Sequence, residues 1–214
     1  MADPRIETLI ESFYHDPLVE FFWPNQESRA GQLSAGLEFL LGLSSKTRSI
    51  EIANYKCVAV IGATPPEDYP TPFFRAMVAL SKLILKSIRL SPLREMKRWI
   101  RVYHQLEKMH PQQPHWYILV LGAHPDHQGK GLGGELLKPI LQKADEENVA
   151  VYLECSNPKS LDFYNRHGFR VMEEIVPIHG CPPIWRLMRK PISESSERNQ
   201  ADQKHLREIT ELSG

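Results

Sequence analysis

The chain has 214 residues, with 26 Lys plus Arg set against 26 Asp plus Glu and a formal net charge of +0. Hydrophobic residues make up 42%, enough for a packed core, and the balanced charge leaves no electrostatic footprint for a nucleic acid or a membrane surface. Three cysteines without C-x-x-C spacing do not suit a disulfide framework, and the acidic start holds no apolar leader segment, so a cytoplasmic protein is expected.

Asp3 is placed to cap a first helix with Pro4 at its first position, and Ile6, Leu9, Ile10 and Phe13 then recur at helical spacing. Pro17 and the Phe21-Phe22-Trp23-Pro24 cluster mark a break. Leu33, Leu37, Leu40 and Leu41 repeat the helical pattern. Residues 48–53 and 57–63 read as two strands joined through Asn54-Tyr55-Lys56, with Pro65-Pro66 ending the second. Two helical patterns follow, over 73–90 and 93–109, split at Ser91-Pro92. The first is apolar but interrupted by Arg75, Lys82, Lys86 and Arg89, which suits a packed helix rather than a membrane span. The second places Met96, Trp99, Ile100, Tyr103 and Leu106 on one face. Lys82, Lys86, Arg89, Arg94, Lys97, Arg98, Arg101 and Lys108 make this pair basic, and a solvated outer face is the simpler reading of that charge.

A strand over 116–123 comes next, then a loop over 124–128 and a helix over 131–147 that carries Pro139 inside its apolar pattern. Asn148 suits a left-handed cap before a strand over 149–155. Asn157-Pro158 opens a short helix that Gly168 ends, and strands over 169–178 and 184–188 flank Gly180-Cys181-Pro182-Pro183. Residues 192–214 turn polar and read as a disordered tail.

The informative segment is Gln128-Gly129-Lys130-Gly131-Leu132-Gly133-Gly134, between a strand and a helix. Unpaired N–H groups and the dipole at a helix N-terminus attract phosphate, and glycines let it approach the backbone. Gly129 to Gly134 matches G-x-G-x-x-G, with Glu154 twenty residues on, so a Rossmann-type NAD oxidoreductase is an alternative. Against it, Pro125-Asp126-His127-Gln128 lengthens the turn that should hold the first glycine, and few elements follow. A nucleoside-triphosphate loop fails because Gly131 stands where Ser or Thr is required.

Ala123-His124-Pro125 followed by Gln128-x-x-Gly131-x-Gly133 resembles the acyl-CoA signature of the GNAT N-acetyltransferases. The run from Asn157-Pro158 through Tyr164 to Gly168-Phe169 resembles that family's next helix and strand. The likeness is closest over 115–191, where Pro139 and Trp185-Arg186-Leu187-Met188-Arg189-Lys190-Pro191 are similar to the puromycin N-acetyltransferase branch.

The resemblance implies an α/β fold with a mixed, mostly antiparallel sheet splayed open at the acyl-CoA site and helices on both faces. It implies one domain over 1–191, with 1–114 on the acceptor side and 115–191 binding acetyl-CoA, which serves as cosubstrate without a metal. The pyrophosphate is expected on Gln128, Gly129, Lys130, Gly131, Leu132, Gly133 and Gly134. The pantetheine arm is expected along Leu121 and Ala123, with Asn157 on its other side.

The chemistry needs a neutral amine, donors for an oxyanion and a proton for the leaving thiolate. The resemblance puts Tyr164 beside the thiolate as donor. Glu154, at the carboxyl end of its strand, is the candidate base or substrate contact, with His115 a weaker one. Cys155 reads as a small buried residue rather than an acyl carrier. His124 and His127 are loop residues, since two ligands do not make a metal site. Aromatic residues among Phe13, Tyr14, Phe21, Phe22, Trp23, Phe73 and Phe74 are expected to wall a pocket for a small-molecule amine. A catalytically silent CoA-binding module is the remaining alternative. Chains of this family usually open with a strand, whereas this sequence starts on a helix: either that strand is absent, which leaves 48–53 at a sheet edge for a second copy or the tail to cover, or the start site is internal; a monomer or homodimer is expected.

Overall fold

A computed structural model describes residues 3–52, 55–69 and 93–192. The expected helix over 73–90, and the tail beyond Ile192, lie outside the described residues.

Helix α1 (Pro4–Phe13) starts as its sequence dictates: the Asp3 carboxylate accepts the N–H of Arg5 at 2.9 Å. The break expected at Pro17 is instead the start of a second helix, α2 (Pro17–Phe22). Asp16-Pro17 repeats the chemistry of Asp3-Pro4, a capping carboxylate ahead of a proline that has no N–H to leave unpaired. Helix α3 (Gln26–Leu43) follows, capped by Asn25.

Strands β1 (Lys46–Ile52) and β2 (Tyr55–Thr64) form the expected hairpin, each longer than the sequence pattern suggests. Helix α4 (Leu93–Met109) has the expected bounds but a different inner face. Val102 is 1% exposed, whereas Ile100 is 50% and Tyr103 37% exposed. The face that packs inward runs Glu95, Trp99, Val102, Leu106 and Met109. Tyr103 sits at its rim, stacked on Trp99 at 5.5 Å. The pattern misled because Tyr103 and Ile100 look like core residues by type, while Glu95 is buried by accepting a hydrogen bond from Gln32 at 2.8 Å.

The second half runs β3 (His115–Ala123), α5 (Leu132–Glu146), β4 (Ala150–Cys155), α6 (Leu161–Arg166), β5 (Arg170–Ile175) and β6 (Ile184–Arg189). Asn148 takes the left-handed conformation expected of it, with φ 52°. Strand β5 is shorter than the predicted 169–178 and exposed along all but its last residue, as an outer strand can be.

The sheet order is β1-β2-β3-β4-β6-β5, and every neighbouring pair is antiparallel except β3–β4. β1 therefore lies at an edge of the described sheet, as its place in the sequence implied. Helix α5 packs on one face over a core that includes Trp116, Leu137, Leu153 and Phe169. Helices α1 to α4 cover the other, over Leu9, Phe22, Leu37 and Val102. A single parallel pair in an otherwise antiparallel sheet removes the Rossmann alternative, which needs a doubly wound parallel sheet.

Candidate active site

The two central strands part at a defined place. β3 and β4 pair only at His115–Ala150, Trp116–Val151 and Tyr117–Tyr152. Beyond Tyr117, β3 continues paired with β2 alone, so its other edge faces a widening gap. β3 also carries a bulge there: Ile118 and Val120 oppose Ala63 and Gly62, which leaves Leu119 outside the ladder.

A groove of about 580 Å³ runs from this gap to the start of α5. Leu121, Ala123, Gln128, Gly129, Gly131 and Leu132 line it, as do Gly133, Gly134, Asn157 and Tyr164, so ten of the predicted residues meet on one surface. Lys130 is exposed and lies outside the groove wall, its ammonium 3.3 Å from His127 Nδ1. Glu154 also stands apart from the groove, in a buried cluster on the other side of β4.

The glycines divide by role. Gly129 and Gly131 have φ of 75° and 83°, and a Cβ on either would project into open space. These two shape the turn that delivers the helix. The first α5 bond runs from Glu135 N–H to Gly131 C=O, which leaves the N–H groups of Leu132, Gly133 and Gly134 without helical partners. Gly133 and Gly134 serve packing instead: a Cβ would meet Phe163 at 3.2 Å and His167 Nε2 at 2.8 Å. Their bareness brings α6 against the N-terminus of α5. These residues fit an acyl-CoA: a glycine turn with room above it, unpaired amides at a helix start, and an open strand edge beside them.

Some predicted contacts have partners of their own. The Gln128 amide donates to Ala123 C=O at 3.0 Å, and Asn157 Oδ1 caps the following turn by accepting Lys159 N–H at 3.1 Å. Tyr164 packs among Phe163 and Phe169, and burial raises its phenol well above the ordinary value, so it is a donor at neutral pH. Burial also pushes the Cys155 thiol up to about 11, and its Sγ donates to Asn157 C=O at 3.2 Å. That is an inert thiol, as its sequence position suggested.

Side chains alternate along β4. Leu153 and Cys155 enter the core under α5, and Glu154 turns to the opposite face. There Tyr117 donates to Glu154 Oε2 at 2.8 Å. Oε1 is buried with no hydrogen-bond partner among the described residues, and His110 Nδ1 stands 4.0 Å from it. Burial pushes the Glu154 carboxyl up to about 7, against the Tyr117 and Tyr152 hydroxyls that pull it down.

His110 and His115 extend the cluster. His115 Nδ1 lies 2.7 Å from Gln113 C=O, which requires the proton there. His115 Nε2 is then an acceptor, and His110 Nε2, 2.8 Å away, must donate to it. That leaves His110 Nδ1 as a lone pair facing Glu154 Oε1. Burial, then the neighbouring His115 and Arg186, lower His110 to about 3, so it is neutral.

Sequence reasoning missed His110, Tyr117 and Asp16. Asp16 lines the groove; its Oδ1 accepts Ser156 Oγ–H at 2.8 Å, and burial raises its carboxyl. His110 and Tyr117 carried a weak signal, since polar residues flanking or alternating through an apolar strand need buried partners. Nothing in the sequence joins Asp16 to a residue 140 positions later. Of the expected aromatic wall, Phe13 lines the groove, Phe22 and Trp23 are core, and Phe73 and Phe74 lie outside the described residues. Among the described residues, no group of three or more His, Cys, Asp or Glu is placed to hold a metal, and no helix is long and apolar enough to cross a membrane.

Residues 94–169 match the sequence model of the acetyltransferase (GNAT) family, just over a third of the chain. A solved acetyltransferase from Corynebacterium glutamicum, titled as histone acetyltransferase HPA2 and related acetyltransferase, superposes with a TM-score of 0.58 at 20% identity, over 88% of this chain and 90% of that one. The chain has the GNAT fold. Arylalkylamine N-acetyltransferase 2 from Aedes aegypti gives a TM-score of 0.52 at 11% identity, covering 89% of this chain and 96% of that one. An uncharacterized N-acetyltransferase of Schizosaccharomyces pombe is 30% identical over 91 residues, 42% of this chain. The match spans 37% of that relative's length. The matching GNAT segment contains β3, the whole glycine turn, α5, β4 and α6, which build most of the groove; Ser12, Phe13 and Asp16 complete it from outside that segment.

Proposed function

We propose that the protein is an acetyl-CoA-dependent N-acetyltransferase acting on a small-molecule amine by direct attack in a ternary complex. The observation that carries this is the groove, in which the parted β3 edge, the free amides of 132–134 and Tyr164 share one surface. In this reading Gly129, Gly131 and the amides of Leu132 to Gly134 hold the pyrophosphate, and Leu121, Ala123 and Asn157 flank the pantetheine arm. Gln128 braces the turn through Ala123, and Lys130 contributes charge from outside the wall.

The step is a nucleophilic acyl substitution. The amine nitrogen bonds to the thioester carbonyl carbon, the C–S bond breaks, and the amine proton passes through water to Glu154, which stands outside the groove wall. A carboxyl near 7 suits a base working at neutral pH. The oxyanion needs an N–H donor, and Leu119 is where the β3 backbone leaves its ladder, just past the last β3–β4 pair. Tyr164 gives the departing sulfur its proton.

The motifs over 115–191 favour the puromycin N-acetyltransferase branch within the family. A small-molecule amine is preferred to a protein amine because the walls flanking the groove include Phe13, and a protein of the same fold is named for arylalkylamines. The test is release of free CoA thiol over a panel of amines. Acetyl-CoA binding without turnover on any amine leaves the silent CoA-binding module.

A further inference from the structure

A second cleft, of about 450 Å³, lies away from the groove between α2, α4 and the β5–β6 loop. Arg94, Lys97, Arg98 and Arg101 line it together with Phe21, Ile178 and His179. The four cations occupy successive positions of one helical face, i, i+3, i+4 and i+7. A solvated face, the simpler reading of their sequence, does not require them to converge on one concavity.

Among the described residues, one of the four has a partner in the fold. Arg98 donates to Phe21 C=O and lies 4.6 Å over the Phe21 ring, so it fixes the wall. Among the described residues, no carboxylate pairs with Arg94, Lys97 or Arg101. The neighbouring acids are engaged elsewhere: Glu95 with Gln32, Glu20 with Arg29, Glu173 with Arg186, and Glu174 with Trp185. Residues 70–92, which precede α4, contain Arg75, Lys82, Lys86 and Arg89 and no Asp or Glu. Like charges held together without counter-ions repel each other, so the arrangement gains by receiving an anion.

The cleft and the groove are joined by α2. Asp16, its cap, lines the groove, and Phe21, near its end, lines the cleft. Five residues of helix span about 8 Å. We infer that this cleft binds an acidic group, phosphate or carboxylate, carried on the end of the acceptor far from the amine that is acetylated. This deepens, and rests on, the acetyltransferase reading. The acceptor is then an amine with an apolar or aromatic body, which Phe21 and Ile178 can cover, and an anionic far end, which Arg94, Lys97 and Arg101 neutralise.

The test compares kcat/KM for tyramine, O-phosphotyramine and 4-(2-aminoethyl)benzoate in the wild-type chain and in Arg94→Ala/Arg101→Ala. Arg98 is left intact because it braces α2. The expected result is a preference of roughly tenfold or more for an acidic amine over tyramine, which falls to about one in the variant while the tyramine rate holds. The better of the two acids identifies the group. Equal rates in the wild type, or a preference that survives in the variant, overturn the proposal. If none of the three amines is acetylated, binding of O-phosphotyramine by calorimetry, with CoA at saturation to fill the glycine turn, decides. Binding lost in the variant upholds the cleft as an anion site and leaves acetyl transfer to the wider amine panel; binding unchanged, or absent from the wild type, overturns the cleft.

Discussion

The Tyr117 hydroxyl donates to Glu154 Oε2 at 2.8 Å, from the last position at which β3 and β4 still pair. The bond ties a carboxylate on one strand to the strand it is about to leave. Among the described residues it also leaves Oε1 buried without a partner, facing the neutral His110. A carboxyl so placed holds its proton to about pH 7 and can exchange it with little change in geometry.

Replacing Glu154 with Gln tests the base directly. The expected loss in kcat/KM is about 10²-fold or more, with acetyl-CoA affinity unchanged. The wild-type rate should rise with pH through about 7 as the carboxyl ionises, and this limb should vanish in the variant. A residual rise near the pKa of the free amine should remain in both.

The same carboxyl makes stability depend on pH. Its folded value, about 7, lies above its ordinary 4.5. Between these values the unfolded chain releases a proton that the folded chain keeps. Stability should therefore be highest below about 4.5, as far as this group is concerned, and fall as pH rises through 7, by on the order of 3 kcal/mol in total. Denaturant unfolding at pH 5 and pH 8 measures it, and Glu154→Gln should lessen the fall.

Tyr117→Phe removes a hydroxyl that holds the Glu154 value down. The acid limb of kcat/KM should move to higher pH, with the plateau rate reduced far less than in Glu154→Gln. A limb that stays in place would show that Tyr117 does not set the carboxyl.

Tyr164→Phe separates the leaving-group donor from cofactor binding. Loss of kcat by about tenfold or more, with acetyl-CoA binding within twofold, is expected if the phenol serves the thiolate. An unchanged kcat removes it from the chemistry.

The glycine turn predicts two different failures. Gly131→Ala forces a Cβ onto a backbone at φ 83° and should cost roughly 1 kcal/mol or more in stability while weakening acetyl-CoA binding. Gly134→Ala has ordinary backbone but drives a Cβ toward His167 Nε2, whose Nδ1 is held by Phe163 C=O at 2.8 Å. It should shift α6 and Tyr164 with it, and so lower kcat as well as affinity. Calorimetry and turnover on both variants distinguish the two roles.

The second half of the fold was legible because its signals are local. A strand, a glycine turn, an amphipathic helix and Asn148 follow one another, and each element lands within a few residues of its expected place. The groove was legible for the same reason, since most of its wall comes from two runs, 121–134 and 157–167, each with a local signal. The Glu154 cluster was not. Tyr152 precedes Glu154 by two on the same strand, but Tyr117 comes from β3 and His110 from the turn after α4, and it is the parallel register of β3 on β4 that brings Tyr117 to Glu154. Asp16 is a stronger case, because its capping role at α2 hides its bond to Ser156. The inner face of α4 was misread where a buried Glu95 and an exposed Ile100 reverse the usual association of polarity with surface.

The account stands first on the groove holding acetyl-CoA. Calorimetric titration of the full chain with acetyl-CoA should give saturable one-to-one binding that Gly131→Val abolishes and that NAD does not reproduce. Absence of acetyl-CoA binding to a folded wild-type chain, or binding unaffected by Gly131→Val, would contradict it.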